Sequence, residues 1–226
     1  MNRIFDTLAQ RYDRWYDGPL GQSVFPYERE ALARAAEGTP RPWLEVGVGS
    51  GRFAVALEIP YGLDPAWNLL KMAKQRGIQV VQGVAEALPF RNGAFGTVFL
   101  IVTLCFLEDL QRALEEIARV LKPNGSVITG LVPADSPWGE YYLRKRAQGH
   151  PFYRAATFYT VADLDSVAYR AGFLRVREVS TLFSPPGQPV IRDRIEETLD
   201  PYAGFLAIRW DRIPGSTRST APSGQR

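Results

Sequence analysis

The sequence predicts an α/β fold in which a mainly parallel sheet is covered by helices on both faces. Three observations carry this. From residue 43 onward, short apolar runs alternate with amphipathic segments of helical period, as in consecutive strand–helix–strand units with right-handed crossovers. The first run, Leu44-Glu45-Val46, passes directly into Gly47-Val48-Gly49-Ser50-Gly51 and then an amphipathic helix. A nucleotide-like ligand sits on such a turn, because glycine lets the backbone pass close beneath it and the helix N-terminus offers free N–H donors. The second run ends in Asp64, about 20 residues after Glu45, where a carboxylate accepts from both hydroxyls of a ribose.

Ahead of the sheet, Ile4, Phe5, Leu8, Tyr12, Trp15 and Tyr16 recur at helical spacing and predict a helix over 2–17, ended by Gly18-Pro19. A second helix is expected over 24–37, stopping at Gly38-Thr39-Pro40. Strands are expected at 43–46, 59–63, 79–82, 97–102, 126–131 and 174–183, with a last one near 203–210. Helices are expected between them near 50–57, 65–76, 109–120 and 160–171. Ligands bind such sheets beyond the carboxyl ends of the strands, where strand order reverses. The glycine turn and Asp64 both fall there.

A length of 226 residues suits one domain with modest additions, and 46% hydrophobic against 23% charged residues is ordinary for a globular chain. One domain is expected over 1–213, followed by a disordered tail, 214–226, rich in Gly, Ser, Thr and Pro. The net charge of +3 resides in residues 209–226, which hold four Arg and one Asp, so the preceding residues are neutral overall and nothing points to nucleic acid. No run is long enough for a membrane span and no signal-peptide core is present, which reads as cytoplasmic. With one cysteine, Cys105, and one histidine, His150, neither a disulfide nor a Cys/His metal cluster is expected.

The glycine spacing discriminates between ligands. A dinucleotide turn begun at Gly47 needs a third glycine at position 52, where the pyrophosphate leaves little room. Position 52 is Arg. The spacing found is acidic-x-G-x-G-x-G from Glu45. Residues 81–90, Val-Gln-Gly-Val-Ala-Glu-Ala-Leu-Pro-Phe, are similar to a G-D-A-E-x-L-P-F segment, and the helix after the apolar run at 95–102 closes on Leu121-Lys122-Pro123-Asn124-Gly125. In these motifs, over residues 40–175, the chain resembles the class I (Rossmann-like) S-adenosylmethionine-dependent methyltransferases. The N-terminal Phe5-Asp6-x-x-Ala9-x-x-Tyr12-Asp13-x-Trp15-Tyr16 also looks like the helical lid of the branch that includes ubiquinone and menaquinone biosynthesis methyltransferases.

The resemblance implies a seven-stranded, mostly parallel sheet with an antiparallel last strand, and S-adenosylmethionine as cofactor with S-adenosylhomocysteine as product. It implies that Glu45, Gly47, Gly49 and Gly51 underlie the methionine part, that Asp64 and Pro65 meet the ribose, and that Ala85 and Glu86 meet the adenine. Val102 and Thr103 would border the cofactor after the fourth strand, and residues 1–38 would form a lid placing Tyr12 or Tyr16 over it. Val84 stands where the family usually has Asp, which shifts adenine recognition to the N–H of Ala85. Cys105 and Phe106 stand where many members carry a His pair, leaving an apolar wall. Residues 133–159 would cover the methyl acceptor, with Tyr12, Tyr141, Tyr142, Phe152 and Tyr153 facing it.

Structural alternatives stand beside several of these roles. Asp64 before Pro65 also makes a good helix N-cap, Glu86 could cap a turn, and the 133–159 aromatics could simply pack inward beneath a basic face. Cys105 reads most simply as a small buried hydrophobe. Methyl transfer from a sulfonium needs geometry more than acid–base chemistry, and a hydroxyl acceptor would additionally need a base, for which His150 is the candidate. The sequence therefore reads as an S-adenosylmethionine-dependent methyltransferase acting on a planar or anionic small molecule. The alternatives are a cofactor-binding scaffold or regulator, and a dinucleotide-dependent oxidoreductase. An N-P-P-Y-type base-flipping motif is missing after the fourth strand, where Thr103-Leu104-Cys105-Phe106 stands.

Overall fold

The computed structural model describes residues 2–215; of the expected disordered tail, residues 216–226 lie outside the described residues. The N-terminal segment comprises α1 (Asn2–Thr7), α2 (Ala9–Asp13) and a 3-10 turn at Arg14–Asp17, not the single helix expected over 2–17. The aromatic stripe fits one helix, but the backbone leaves helical geometry at Leu8 (φ −107°, ψ 25°) and the segment wraps over the domain. Gly18-Pro19 is a start as well as a stop: Gly18 is the N-cap and Pro19 the first position of α3 (Pro19–Ala35), since proline's fixed φ suits that position. The helix therefore begins before the expected residue 24 and carries Pro26 in its interior.

The sheet follows as β1 (Trp43–Val46), α4 (Arg52–Ala56), β2 (Tyr61–Asp64), α5 (Trp67–Gln75), β3 (Gln79–Gln82), β4 (Phe95–Ile101), α6 (Leu110–Val120) and β5 (Leu121–Leu131). After it come α7 (Pro137–Ala147), α8 (Val161–Arg170), β6 (Phe173–Thr181), β7 (Ile195–Glu196) and β8 (Phe205–Arg212). Among the described residues the strand order is β3-β2-β1-β4-β5-β8-β6-β7, eight strands and not the expected seven. β3, β2, β1, β4 and β5 run parallel, and β8 lies antiparallel between β5 and β6. The additional strand, β7, contributes two residues opposite Ser180 and Thr181. It lies in the charged run 192–197, which has no apolar alternation, and side-chain bonds from Thr181 Oγ1 to the Arg194 carbonyl (2.8 Å) and Ser180 Oγ to the Thr198 carbonyl (2.5 Å) hold it there.

Strand alternation divides the core. Val98 and Leu100 of β4 and Leu206, Ile208 and Trp210 of β8 pack with α6 and α8 on one face, while Phe99, Ile101, Phe205 and Ala207 pack with α3, α4 and α5 on the other. β4 is buried along its whole length, as a central strand covered on both faces must be. Strand order reverses between β1 and β4, so the glycine turn after β1 opens onto the crevice where such folds bind ligands. Among the described residues no helix is long and apolar enough to cross a membrane.

The N-terminal segment docks tightly on α3. A Cβ on Gly21 would lie 2.2 Å from the Trp15 carbonyl oxygen and 2.6 Å from the Tyr16 Cα, both backbone atoms of the 3-10 turn. Gly21→Ala is expected to lower stability by about 1–3 kcal/mol, the scale of overpacking, with urea unfolding as the measurement. An unchanged midpoint would show that the turn is not seated on α3.

Candidate active site

The turn after β1 is shaped by backbone that side chains resist. Gly47, Gly49 and Gly51 have φ of +79°, +53° and +83°, the left-handed region that glycine enters without strain. At Gly47 a Cβ would also lie 2.3 Å from Thr103 Oγ1, so the turn is pressed against the end of β4. Gly51 packs instead against Ala73 and Ile78, closing α4 onto α5.

Asp64, at the end of β2, is buried and ties the turn in place: Oδ2 accepts from the Gly49 N–H (2.9 Å) and Oδ1 from the Ala66 N–H (2.8 Å). It is not the N-cap of α5. Pro65 lies ahead of that helix, whose N-cap residue, Ala66, has no side-chain acceptor. The missing acceptor comes from α1, where Asp6 Oδ1 accepts from the Asn68 N–H at 2.7 Å, satisfying a first-turn donor that the helix itself leaves unpaired. Burial raises the Asp64 carboxyl to about 6 against the two N–H donors. Glu45, on β1, is fully buried and Oε2 has no partner among the described residues; burial and the neighbouring Asp64 raise it well above the carboxylate range.

A second acid fastens the segment to the turn. The carboxylate of Asp13 accepts from Ser50 Oγ (2.5 Å), from Arg52 Nε (2.7 Å) and Nη2 (2.9 Å), and from Arg76 Nη1 (3.1 Å) and Nη2 (3.0 Å). Arg76 also donates to the Ser50 carbonyl at 2.6 Å. Burial alone would raise Asp13, but these donors outweigh it and hold the carboxyl well below the usual range. Arg52, which stands where a dinucleotide turn needs glycine, is thus committed to the N-terminal segment.

Two cavities open here. One, of about 280 Å³, is bordered by Gly47, Gly49, Asp64, Pro65, Ala85, Glu86, Val102 and Thr103, with Phe5 and Tyr12 above. The other, of about 360 Å³, is bordered by Tyr16, Cys105, Tyr142, His150, Phe152, Tyr153 and Phe158. Tyr12, Val102 and Phe106 border both. Of the expected cofactor residues, Glu45 and Gly51 lie behind the turn and Tyr16 faces the second cavity. Of the expected acceptor residues, Tyr141 is turned away, its hydroxyl 2.7 Å from where a Cβ on Gly187 would lie. Glu86 Oε1 accepts from the Glu108 (2.9 Å) and Asp109 (3.3 Å) N–H groups, capping the turn before α6.

Rings from three segments close the top. Phe5 lies 4.8 Å from Phe106 and 5.5 Å from Phe152, and Tyr12 lies 5.7 Å from Phe152. Val102 is held at φ +52°, a strained conformation for a β-branched residue, with its N–H donating to the Gly130 carbonyl at 2.8 Å. His150 stacks on Tyr153 at 4.5 Å and Nδ1 has no partner among the described residues. Burial, Lys145 and Arg11 lower its pKa, so the ring is neutral near pH 7. Burial pushes the Cys105 thiol up to about 12 and makes it a poor nucleophile.

Residues 44–129 match the family model for a methyltransferase domain. The chain is 31% identical to a solved SAM-dependent methyltransferase of Thermotoga maritima, described as a possible histamine N-methyltransferase, covering 93% of this chain and 98% of that one at a TM-score of 0.85. The chain belongs to the class I S-adenosylmethionine-dependent methyltransferases. This methyltransferase is also 40% identical over 203 residues to an uncharacterized protein of Mycobacterium tuberculosis, spanning 88% of this chain and 70% of that one. It is 27% identical over 225 residues to a demethylmenaquinone methyltransferase of Mycobacterium sp., spanning 94% and 88%, in keeping with a menaquinone-like branch.

Glu28 borders the second cavity and was not among the expected site residues. Glu28 lies on the buried stripe of α3 with Val24, Ala31, Leu32 and Ala35. Its only signal in the sequence is a charge where helical spacing calls for an apolar residue.

Asp13→Asn is expected to cost about 2–3 kcal/mol in urea unfolding at neutral pH. That is below the roughly 3–5 of a fully buried pair because Arg52 and Arg76 remain partly solvated. A carboxyl depressed in the folded state stabilises above its unfolded pKa of about 4 and loses that contribution as pH falls below it. The variant should therefore show a flatter decline in stability between about pH 4 and 2. A decline as steep as in the wild type would assign the acid sensitivity elsewhere.

Proposed function

We propose that the smaller cavity holds S-adenosylmethionine and the larger one a small-molecule methyl acceptor, with transfer across the wall the two share at Tyr12, Val102 and Phe106. The adjacency of a glycine-and-carboxylate cavity and an aromatic cavity through one wall carries this reading. Each Asp64 oxygen uses one lone pair on a backbone N–H and keeps another for a ribose hydroxyl. Gly49 meets only Tyr12, at 3.6 Å from an added Cβ, so its backbone is open to a ligand. Ala85 and Glu86 border the adenine end, and Gly47 and Gly49 the methionine end.

When bound, S-adenosylmethionine supplies an electrophilic methyl group on a sulfonium. The chain's part is to bring two ligands into line and keep water out. Rate gains of this kind come from fixing reactants in near-attack geometry, and the rings of Phe5, Tyr12, Phe106 and Phe152 exclude water above the junction. A neutral His150 with a free Nδ1 is placed to take a proton from an acceptor in the larger cavity.

Titration calorimetry is expected to give micromolar-range binding of S-adenosylmethionine and S-adenosylhomocysteine and none of NADH. Binding of NADH alone would overturn the reading. Asp64→Ala should weaken S-adenosylhomocysteine binding by about 1–3 kcal/mol, the scale of lost charge-assisted bonds. In the wild type the affinity should fall as pH drops through about 6, where Asp64 takes up its proton. Unchanged affinity in a folded Asp64→Ala protein would remove Asp64 from the ribose site.

A further inference from the structure

The larger cavity has a charge arrangement that neither methyl transfer nor packing requires. Its floor includes Glu28, only 6% exposed, whose Oε2 makes no hydrogen bond among the described residues. Around it stand the rings of Tyr16, Tyr142, Tyr153 and Phe158, with Tyr142 and Tyr153 4.8 Å apart and Tyr142 stacked on Phe158 at 6.3 Å. The cations that border the cavity are Arg11 and Arg14, both exposed, and the half-buried Lys145, whose ammonium lies over the Tyr141 ring. A buried carboxyl without a partner destabilises the fold, and burial raises Glu28 to about 8. Position 28 faces the core stripe of α3, where an apolar side chain would pack without that penalty. A carboxyl inside an aromatic wall is instead suited to a cation, which gains both the charge pair and the ring faces.

We propose that Glu28 is a specificity-determining residue that binds a positively charged nitrogen of the acceptor, so that the preferred acceptors are aromatic amines entering ammonium-first. Glu28 borders only the larger cavity and not the wall shared with the cofactor cavity. The ammonium therefore anchors the acceptor, and the atom that receives the methyl group lies at the other end of the molecule, beside Tyr12 and Phe106. The acidic floor discriminates against acceptors with a carboxylate on that end, for which the buried carboxyl offers no counter-charge.

The inference rests on the proposed methyl-transfer reading, and the test separates the two. Protein is first titrated with S-adenosylhomocysteine; failure to bind would sink that reading. The saturated complex is then titrated with tyramine, 4-ethylphenol and 4-hydroxyphenylacetate, which share a phenol ring and differ in carrying an ammonium, no charge or a carboxylate. Tyramine is expected to bind at least about tenfold more tightly than either. Glu28→Gln should bring the three within about threefold while leaving S-adenosylhomocysteine affinity unchanged and the melting temperature equal or higher. A wild-type complex that shows no preference for tyramine, or that binds none of the three, overturns the assignment whether or not the variant folds. So does a preference that survives in Glu28→Gln.

Discussion

Three side chains from separate segments converge on the Asp13 carboxylate, and the shape of both cavities follows from that convergence. Ser50 belongs to the glycine turn, Arg52 opens α4 and Arg76 follows α5. Without a buried anion these two guanidinium groups would repel one another. With it, the N-terminal segment, the turn and α5 become one body. Tyr12, adjacent in sequence to Asp13, is thereby fixed as the wall common to both cavities, and the Asp6 cap on α5 secures the other end of the segment. The segment is thus held by polar fasteners at its ends and by aromatic edge contacts between them.

Destabilising features collect around the same place. Val102 has a backbone conformation that a β-branched residue avoids. Glu45, Asp64 and Glu28 are buried carboxyl groups raised toward or beyond neutrality. Protein stability rests on a margin of only about 5–15 kcal/mol, and strained or under-satisfied groups persist where the surroundings hold them and a ligand uses them. The extensively packed β4 and β5 supply the surplus that tolerates them.

The sheet and the glycine turn were legible in the sequence because their signals are local. Alternating apolar runs mark β1 to β5, and three glycines at fixed spacing mark the turn. Asp64 could be placed by its distance from that turn, though its bond to the Gly49 N–H could not, since two strand ends must first be brought together. The break at Leu8 and the roles of Asp6 and Asp13 were hidden for the same reason: each acid acts on a helix or arginine far along the chain. β7 was hidden because two residues paired through Ser180 and Thr181 leave no periodic trace. Glu28 left a trace, a charge on the apolar stripe of the helix expected over 24–37, but only the folded chain shows that this stripe borders a cavity.

The position of β8 bears on how the chain is made. Strand β8 is inserted between β5 and β6 although both precede it in sequence. Until residues 205–212 leave the ribosome, β5 and β6 each expose an unpaired edge, and Thr129 lacks the Trp210 indole that bonds it at 3.1 Å. Unpaired edges are templates for association with other chains. The first half of the protein can therefore form its parallel sheet during synthesis, whereas the second half must wait for β8 to join β6 to β5.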